Sequence, residues 1–261
     1  MQNSQLFSND IKKIEAEAWT GVTDFNPPLS RFSDVYIKEC DDFLLKTSIH
    51  EYNLHNKKII NVGGGHGKEA EFLIRNGAKD VTIVDIAINQ LRSARIRKEK
   101  HRLDGLDAVL GDAEELPFKN KVFDLGYIYE ALHHFTDHKS GISEICRVSK
   151  EVIFVDIMNA LITRSLNHFG LFRKEWCGIE PNRLNEKEVR NILDDQKMKV
   201  KITYYFIPSY YGNNILNLHC VKLFTKVINF AIGRHKRIAP LLGNLAIIEG
   251  KPNYDNNDSG I

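Results

Sequence analysis

The amino-acid sequence predicts an α/β fold, an open and mostly parallel sheet with helices on both faces, and three observations carry that reading. Short apolar runs alternate with stretches of helical spacing from Lys58 to Gly250. One such run, with Ile59, Ile60 and Val62, ends in Gly63, Gly64 and Gly65, has Gly67 close behind, and passes at once into a helical stripe of Ala70, Leu73 and Ile74. The last two apolar runs, Lys199 to Ile207 and Leu245 to Gly250, read as an antiparallel pair that completes seven strands.

Composition bounds the rest. A chain of 261 residues is long for one average domain but suits one α/β sheet with a cap. With 43% hydrophobic and 27% charged residues it reads as globular, and a net charge of +2 gives no overall footprint for nucleic acid, so no nucleic-acid partner is expected. Cys40, Cys146, Cys177 and Cys220 are far apart and form no C-x-x-C pair, which argues against a zinc site and a disulfide framework; no metal is expected. Met1 to Asp10 is polar and lacks the apolar core of a signal peptide, so the expected compartment is the cytoplasm.

In chain order, residues 1–56 form an N-terminal helical cap, with Ile11, Ile14 and Ala18 on one face, a break at Gly21 to Pro28, and a second helix capped by Ser33 or Asp34 that runs to Ile49. A domain over 57–251 follows. Its second strand, Asp80 to Asp85, leads into a helix that begins at Ala87 and whose Arg92, Arg95, Arg97, Lys98, Lys100 and Arg102 read as a solvated face. Ala108 to Leu110 is a short third strand, and Phe123 begins a fourth that runs into a loop and short helix by Phe135. A helix at Ile142 to Val148 and a strand at Val152 to Asp156 continue the alternation. Residues 158–184 interrupt it, with aromatic and cationic groups from Arg164 to Trp176. Asn185 then caps a helix, with Glu188 as its capping-box partner. Residues 208–243 are a helical insertion before the last strand, and 252–261 a disordered tail.

The glycine turn is where chemistry is expected. Glycines reach positive φ and admit a ligand against the backbone, and the amides of the following helix point into the turn. A dinucleotide fingerprint started at Gly63 would need glycine where Lys68 stands. Asp85 ends the second strand, where it meets the edge of a ligand on the loop; a carboxylate accepts bonds from both ribose hydroxyls and repels a 2'-phosphate. His133 and His134 are adjacent histidines at the same end of the sheet, and an imidazole titrating near pH 6.5 is a candidate general base.

Read as G-x-G-x-G, Gly63, Gly65 and Gly67 resemble motif I of the class I S-adenosylmethionine-dependent methyltransferases. Gly111-Asp112-Ala113-Glu114-Glu115-Leu116-Pro117-Phe118 resembles the G-D-A-x-x-L-P-F segment of the quinone and small-molecule branch, and Phe123-Asp124 through Leu132-His133-His134 resembles its F-D and L-H-H segment. The resemblance implies a Rossmann-like seven-stranded sheet with the last strand antiparallel, S-adenosylmethionine as cofactor, and acceptor-side insertions at 158–184 and 208–243. It implies cofactor contacts at Asn61, Gly63, Gly64, Gly65, Gly67, Asp85, Ile86, Asp112, Ala113, Tyr129 and Glu130, with Asp112 reading the adenine amine and Tyr129 and Glu130 along the methionine half. Trp19, Phe25 and Tyr36 are candidates for the acceptor pocket. No N-P-P-Y tetrapeptide follows the fourth strand, so amide and adenine nitrogens are not the expected acceptors. The expected reaction is methyl transfer to a hydroxyl, ahead of an amine or carbon, of a small-molecule, sugar or lipid-linked acceptor.

Two features keep a second reading open, a cofactor-binding or partner-binding protein without turnover. Where motif I has an acid two residues before its first glycine, this chain has Asn61. Residues 215–237 form a largely apolar helix ending in Arg234, His235, Lys236 and Arg237, which suits a helix docked on the sheet or in a homodimer interface, a lid, or a membrane surface.

Overall fold

In a computed structural model of the protein, which describes residues 11–14, 16–19, 34–161, 165, 182–207 and 218–253, the apolar runs form one seven-stranded sheet. Phe25 and the stretch from His168 to Trp176 lie outside the described residues.

Helix α1 (Asp34–Ser48) precedes β1 (Lys58–Val62), α2 (Lys68–Arg75), β2 (Asp80–Asp85), α3 (Ile88–His101) and β3 (Leu106–Leu110). Then come β4 (Phe123–Tyr129), a 3-10 turn (Leu132–His134), α4 (His138–Val148) and β5 (Ser149–Ile157). The chain closes with α5 (Glu186–Asp195), β6 (Met198–Tyr205), α6 (Leu218–Arg234), α7 (Ala239–Leu242) and β7 (Leu245–Pro252). The strand order is β3-β2-β1-β4-β5-β7-β6. The pairs among β1 to β5 are parallel, and β7 runs antiparallel to both β5 and β6.

Strand alternation decides which face each side chain packs on. Ile60, Val62, Ile128, Val152 and Phe154 point to the face covered by α4 and α5, through Ile142, Ile145, Val189 and Ile192. Ile59, Ile83, Leu125, Tyr127 and Ile153 point to the other, where they meet Leu44 and Leu45 of α1, Leu73 of α2 and Leu91 of α3. Tyr127 and Ser48 share a buried hydrogen bond of 2.9 Å that ties α1 to the middle of the sheet.

Several boundaries moved from those read in the sequence. Helix α4 starts at His138, a turn earlier, because the Asp137 carboxylate accepts the Lys139 and Ser140 amides and caps it there. Asn185 does cap α5 by accepting the Lys187 amide, but Glu188 lies 3.5 Å from His138. Strand β3 begins two residues sooner, at Leu106. No helix among the described residues is long and apolar enough to cross a membrane.

Candidate active site

A cleft of roughly 990 Å³, counting its open mouth, lies at the carboxyl ends of β1, β2, β3 and β4. Its floor is the glycine turn. Gly63 has φ +66°, its amide donates to Val84 O at 2.8 Å, and a Cβ built on it would come within 2.4 Å of the Ala131 Cβ. Only glycine fits both the conformation and the contact. Asp85, at the tip of β2, accepts the Gly65 amide at 2.9 Å and the Ala87 amide at 2.8 Å, so one carboxylate ties the turn to the start of the following helix. Burial raises its pKa, with those backbone N–H groups and His134 pulling the other way.

On one side of the turn, Asp112 and Glu114 sit under Lys12 from the N-terminal segment. Lys12 Nζ is 2.8 Å from Asp112 and 2.6 Å from Glu114. Glu114 in turn accepts the Thr136 amide at 2.9 Å and hydroxyl at 2.7 Å, and Asp112 accepts the Glu114 amide. One cation thus holds two neighbouring acids and the loop after the 3-10 turn together.

On the other side the chain leaves β4 at Glu130, which is held at φ +48° with its amide on Val155 O. A non-glycine residue in that region is strained, and the strain turns Glu130 into the wall. His134 follows, its ring 5.6 Å from the Trp19 ring at right angles, while the Trp19 carbonyl accepts Gln90 Nε2. His133 goes inward. Its Nδ1 lies 2.6 Å from Asp156, both side chains are buried, and its ring centroid is 4.2 Å from that of His134.

The wall is acidic. Glu69, Asp85, Asp112, Glu114 and Glu130 line it, against Lys12. His66 also lines it, but burial, Arg97 and Lys68 push its pKa down to about 4, so it stands neutral. The first turn of α2 carries Glu69 and Glu71, which offset the positive end of the helix dipole. Such a cleft favours a ligand bearing positive charge and opposes the two phosphates of a dinucleotide.

Of the residues singled out in the sequence, Gly63, Gly64, Gly65, Asp85, Ile86, Asp112, Ala113, Glu130 and His134 meet in this wall, as does Trp19. Four do not line it. Gly67, with φ +84°, heads α2 and packs towards Ile83; Tyr129 is buried at the end of β4; His133 is turned onto Asp156; Asn61 lies behind the turn. The Asn61 amide is fully buried, and neither its oxygen nor its nitrogen has a hydrogen-bond partner. Sequence reasoning missed Lys12, His66, Glu69 and Glu114 as wall residues. Glu114 sits inside the segment already singled out, so its signal was present; Lys12 lies a hundred residues from its partners and had none.

Fold and cleft together define a Rossmann-like α/β protein whose main cleft lies at the carboxyl edge of the sheet. Over residues 60–152 the chain matches the sequence family described as "Methyltransferase domain". It is 35% identical over 98 residues to the phthiotriol/phenolphthiotriol dimycocerosates methyltransferase of Mycobacterium tuberculosis, 38% of this chain and 36% of the relative. It is 32% identical over 111 residues to the chloroplastic 2-methyl-6-phytyl-1,4-hydroquinone methyltransferase 1 of Oryza sativa subsp. japonica, 42% of this chain and 32% of the relative. The aligned part thus spans about a third of the length of these curated relatives. In fold it resembles the magnesium protoporphyrin IX methyltransferase of Synechocystis PCC 6803, with a TM-score of 0.61, 14% identity, and coverage of 95% of this chain and 99% of the other.

Proposed function

We propose that the chain is an S-adenosylmethionine-dependent methyltransferase that moves a methyl group to a hydroxyl of a small-molecule or lipid-linked acceptor. The observation that carries this reading is the acidic cleft built on a glycine turn, with Asp85 bonded to that turn. S-adenosylmethionine, when bound, supplies a methyl group already activated by a positively charged sulfur. The residues present fit such a group. Asp85 has a carboxylate at the cleft edge to accept ribose hydroxyls, and Asp112 one to accept an adenine amine. Glu69 and Glu130 favour positive charge within the cleft.

For the transfer itself, alignment of the two reactants supplies much of the rate, and this chain's remaining task is the acceptor proton. His134 takes that proton from the acceptor hydroxyl through its imidazole nitrogen. His133 is a positioning residue: fixed by Asp156, it stacks obliquely on His134 and limits where that ring sits. Trp19 closes the other side of His134 and excludes water from the acceptor. The two relatives above act, by their names, on a phthiotriol and a phytyl hydroquinone, which supports a small-molecule or lipid-like acceptor.

Titration calorimetry with S-adenosylmethionine and S-adenosylhomocysteine tests the reading. Both bind the wild type, and Asp85→Ala weakens both by about ten- to a hundredfold, the loss of charged hydrogen bonds. No binding of either ligand by the wild type would end it. The buried, unpartnered amide of Asn61, standing where an acid is expected, favours a second reading of binding without turnover. Tight binding with no methyl transfer to any hydroxyl acceptor in a broad panel would select it.

A further inference from the structure

We infer that α6 is an interfacial helix that seats the protein on an anionic lipid surface. Its inner face is committed to the fold. Asn229 accepts the Phe206 amide at 2.8 Å and donates to the Phe206 carbonyl at 2.9 Å, and Thr225 and Ile232 are buried beside it. Those two bonds dictate what points outward. Leu223, Val227 and Phe230, at helical spacing, are 64%, 59% and 66% exposed, with Phe224 at 52% beside them and Leu241 of α7 also exposed. Scattered apolar residues are ordinary on a protein surface, but an aligned stripe of large ones marks a binding face.

Charge identifies what covers it. Residues 218–243 contain Lys222, Lys226, Arg234, Lys236 and Arg237 and not one Asp or Glu, in a chain whose whole net charge is +2. Lys226 and the run from Arg234 to Arg237 are exposed around the apolar stripe, and the Arg234 guanidinium lies 5.5 Å over the Phe230 ring. A second copy docked by the same face would bring like charges together, since a twofold axis sets the patch against itself. An anionic bilayer meets both needs: headgroups take the cations, and the acyl boundary takes the apolar side chains.

The location gives this surface a use. Because β7 is antiparallel to both β5 and β6, β6 runs parallel to β1 and β4, and its end at Phe206 lies at the sheet edge where the cleft opens. A bilayer under α6 therefore lies at the same rim as the cleft. That last consequence, an acceptor drawn from the membrane, rests on the methyl-transfer reading; the docking surface itself does not.

The test is co-sedimentation of the full chain with vesicles of phosphatidylcholine alone and of phosphatidylcholine mixed with phosphatidylglycerol, without cofactor or acceptor. Binding to the mixed vesicles that weakens with salt is expected. Leu223→Ser/Val227→Ser/Phe230→Ser abolishes it, and Lys226→Gln/Lys236→Gln/Arg237→Gln weakens it on the order of a hundredfold. Unchanged S-adenosylmethionine binding and melting temperature certify that each variant is folded. Should no ligand binding be seen even in the wild type, melting temperature alone certifies the fold; vesicle binding then stands while the proposed function fails. Three results would overturn the inference: no binding to mixed vesicles, binding indifferent to both triple variants, or a wild-type dimer that the serine variant converts to monomer without any vesicle binding.

Discussion

Asp156 sits out of reach of water and stays charged through three partners: His133 at 2.6 Å and the amides of Leu132 and Ile157, each at 2.7 Å. Burial alone would raise its pKa, yet His133 and the two amides hold it below the ordinary carboxylate range. Its stabilising contribution is therefore present at neutral pH and lost as pH falls through that depressed value. Asp156→Ala leaves three buried donors unmatched and is expected to cost about 3–5 kcal/mol in urea denaturation. Glu71 acts similarly from a more open position. Burial works against its ionisation, but Arg97, Arg75 and His101 bring its pKa down to about 2. Arg97 also donates to His66 O, so Glu71 latches α3 to the glycine turn. Its contribution is whole above pH 4.5 and disappears as pH drops towards about 2. Between those values the melting temperature of wild type should fall more steeply than that of Glu71→Gln; parallel curves would show that the latch carries no weight. Such pairings were not readable in the sequence. The histidine pair was conspicuous, but which ring faces the cleft depends on a partner 23 residues away.

At the scale of elements, the strand ends were the legible part. The glycine turn, Asp85 and the segment from Gly111 to Phe118 each follow an apolar run, and parallel strands bring their carboxyl ends to one edge regardless of detail. Boundaries set by side-chain caps were less so, as Asp137 shows by starting α4 a turn early. The turn after β1 also yields a sharp expectation. Gly63→Ala must abandon φ +66° or displace Ala131, and the strain should cost about 1–3 kcal/mol. Titration calorimetry should show a matching loss of S-adenosylmethionine affinity, because Ala131 and Gly63 both belong to the cleft wall. An alanine variant with wild-type stability and affinity would mean that the turn relaxes freely.

For the molecule as a whole, a net charge of +2 conceals a separation: an acidic cleft at the ends of β1 to β4, and a basic, apolar helix beside the end of β6. Composition reports the sum and hides the division, so the sequence alone left α6 as a helix docked on the sheet, a lid, a membrane contact or a dimer interface. The contact between Asn229 and Phe206 was the missing information, since it fixes which side of the helix is turned away. The strand order has a further consequence, for biosynthesis. Strand β7 is the last of the seven to be made, yet it lies between β5 and β6 and supplies the sheet pairing of β6. On the ribosome, five strands can assemble while β5 presents an open edge and β6 has nowhere to dock, until residues 245–252 clear the exit tunnel. A nascent chain stalled before Leu245 would thus expose two unsatisfied edges at once, and it is in that interval that the polypeptide most needs a chaperone.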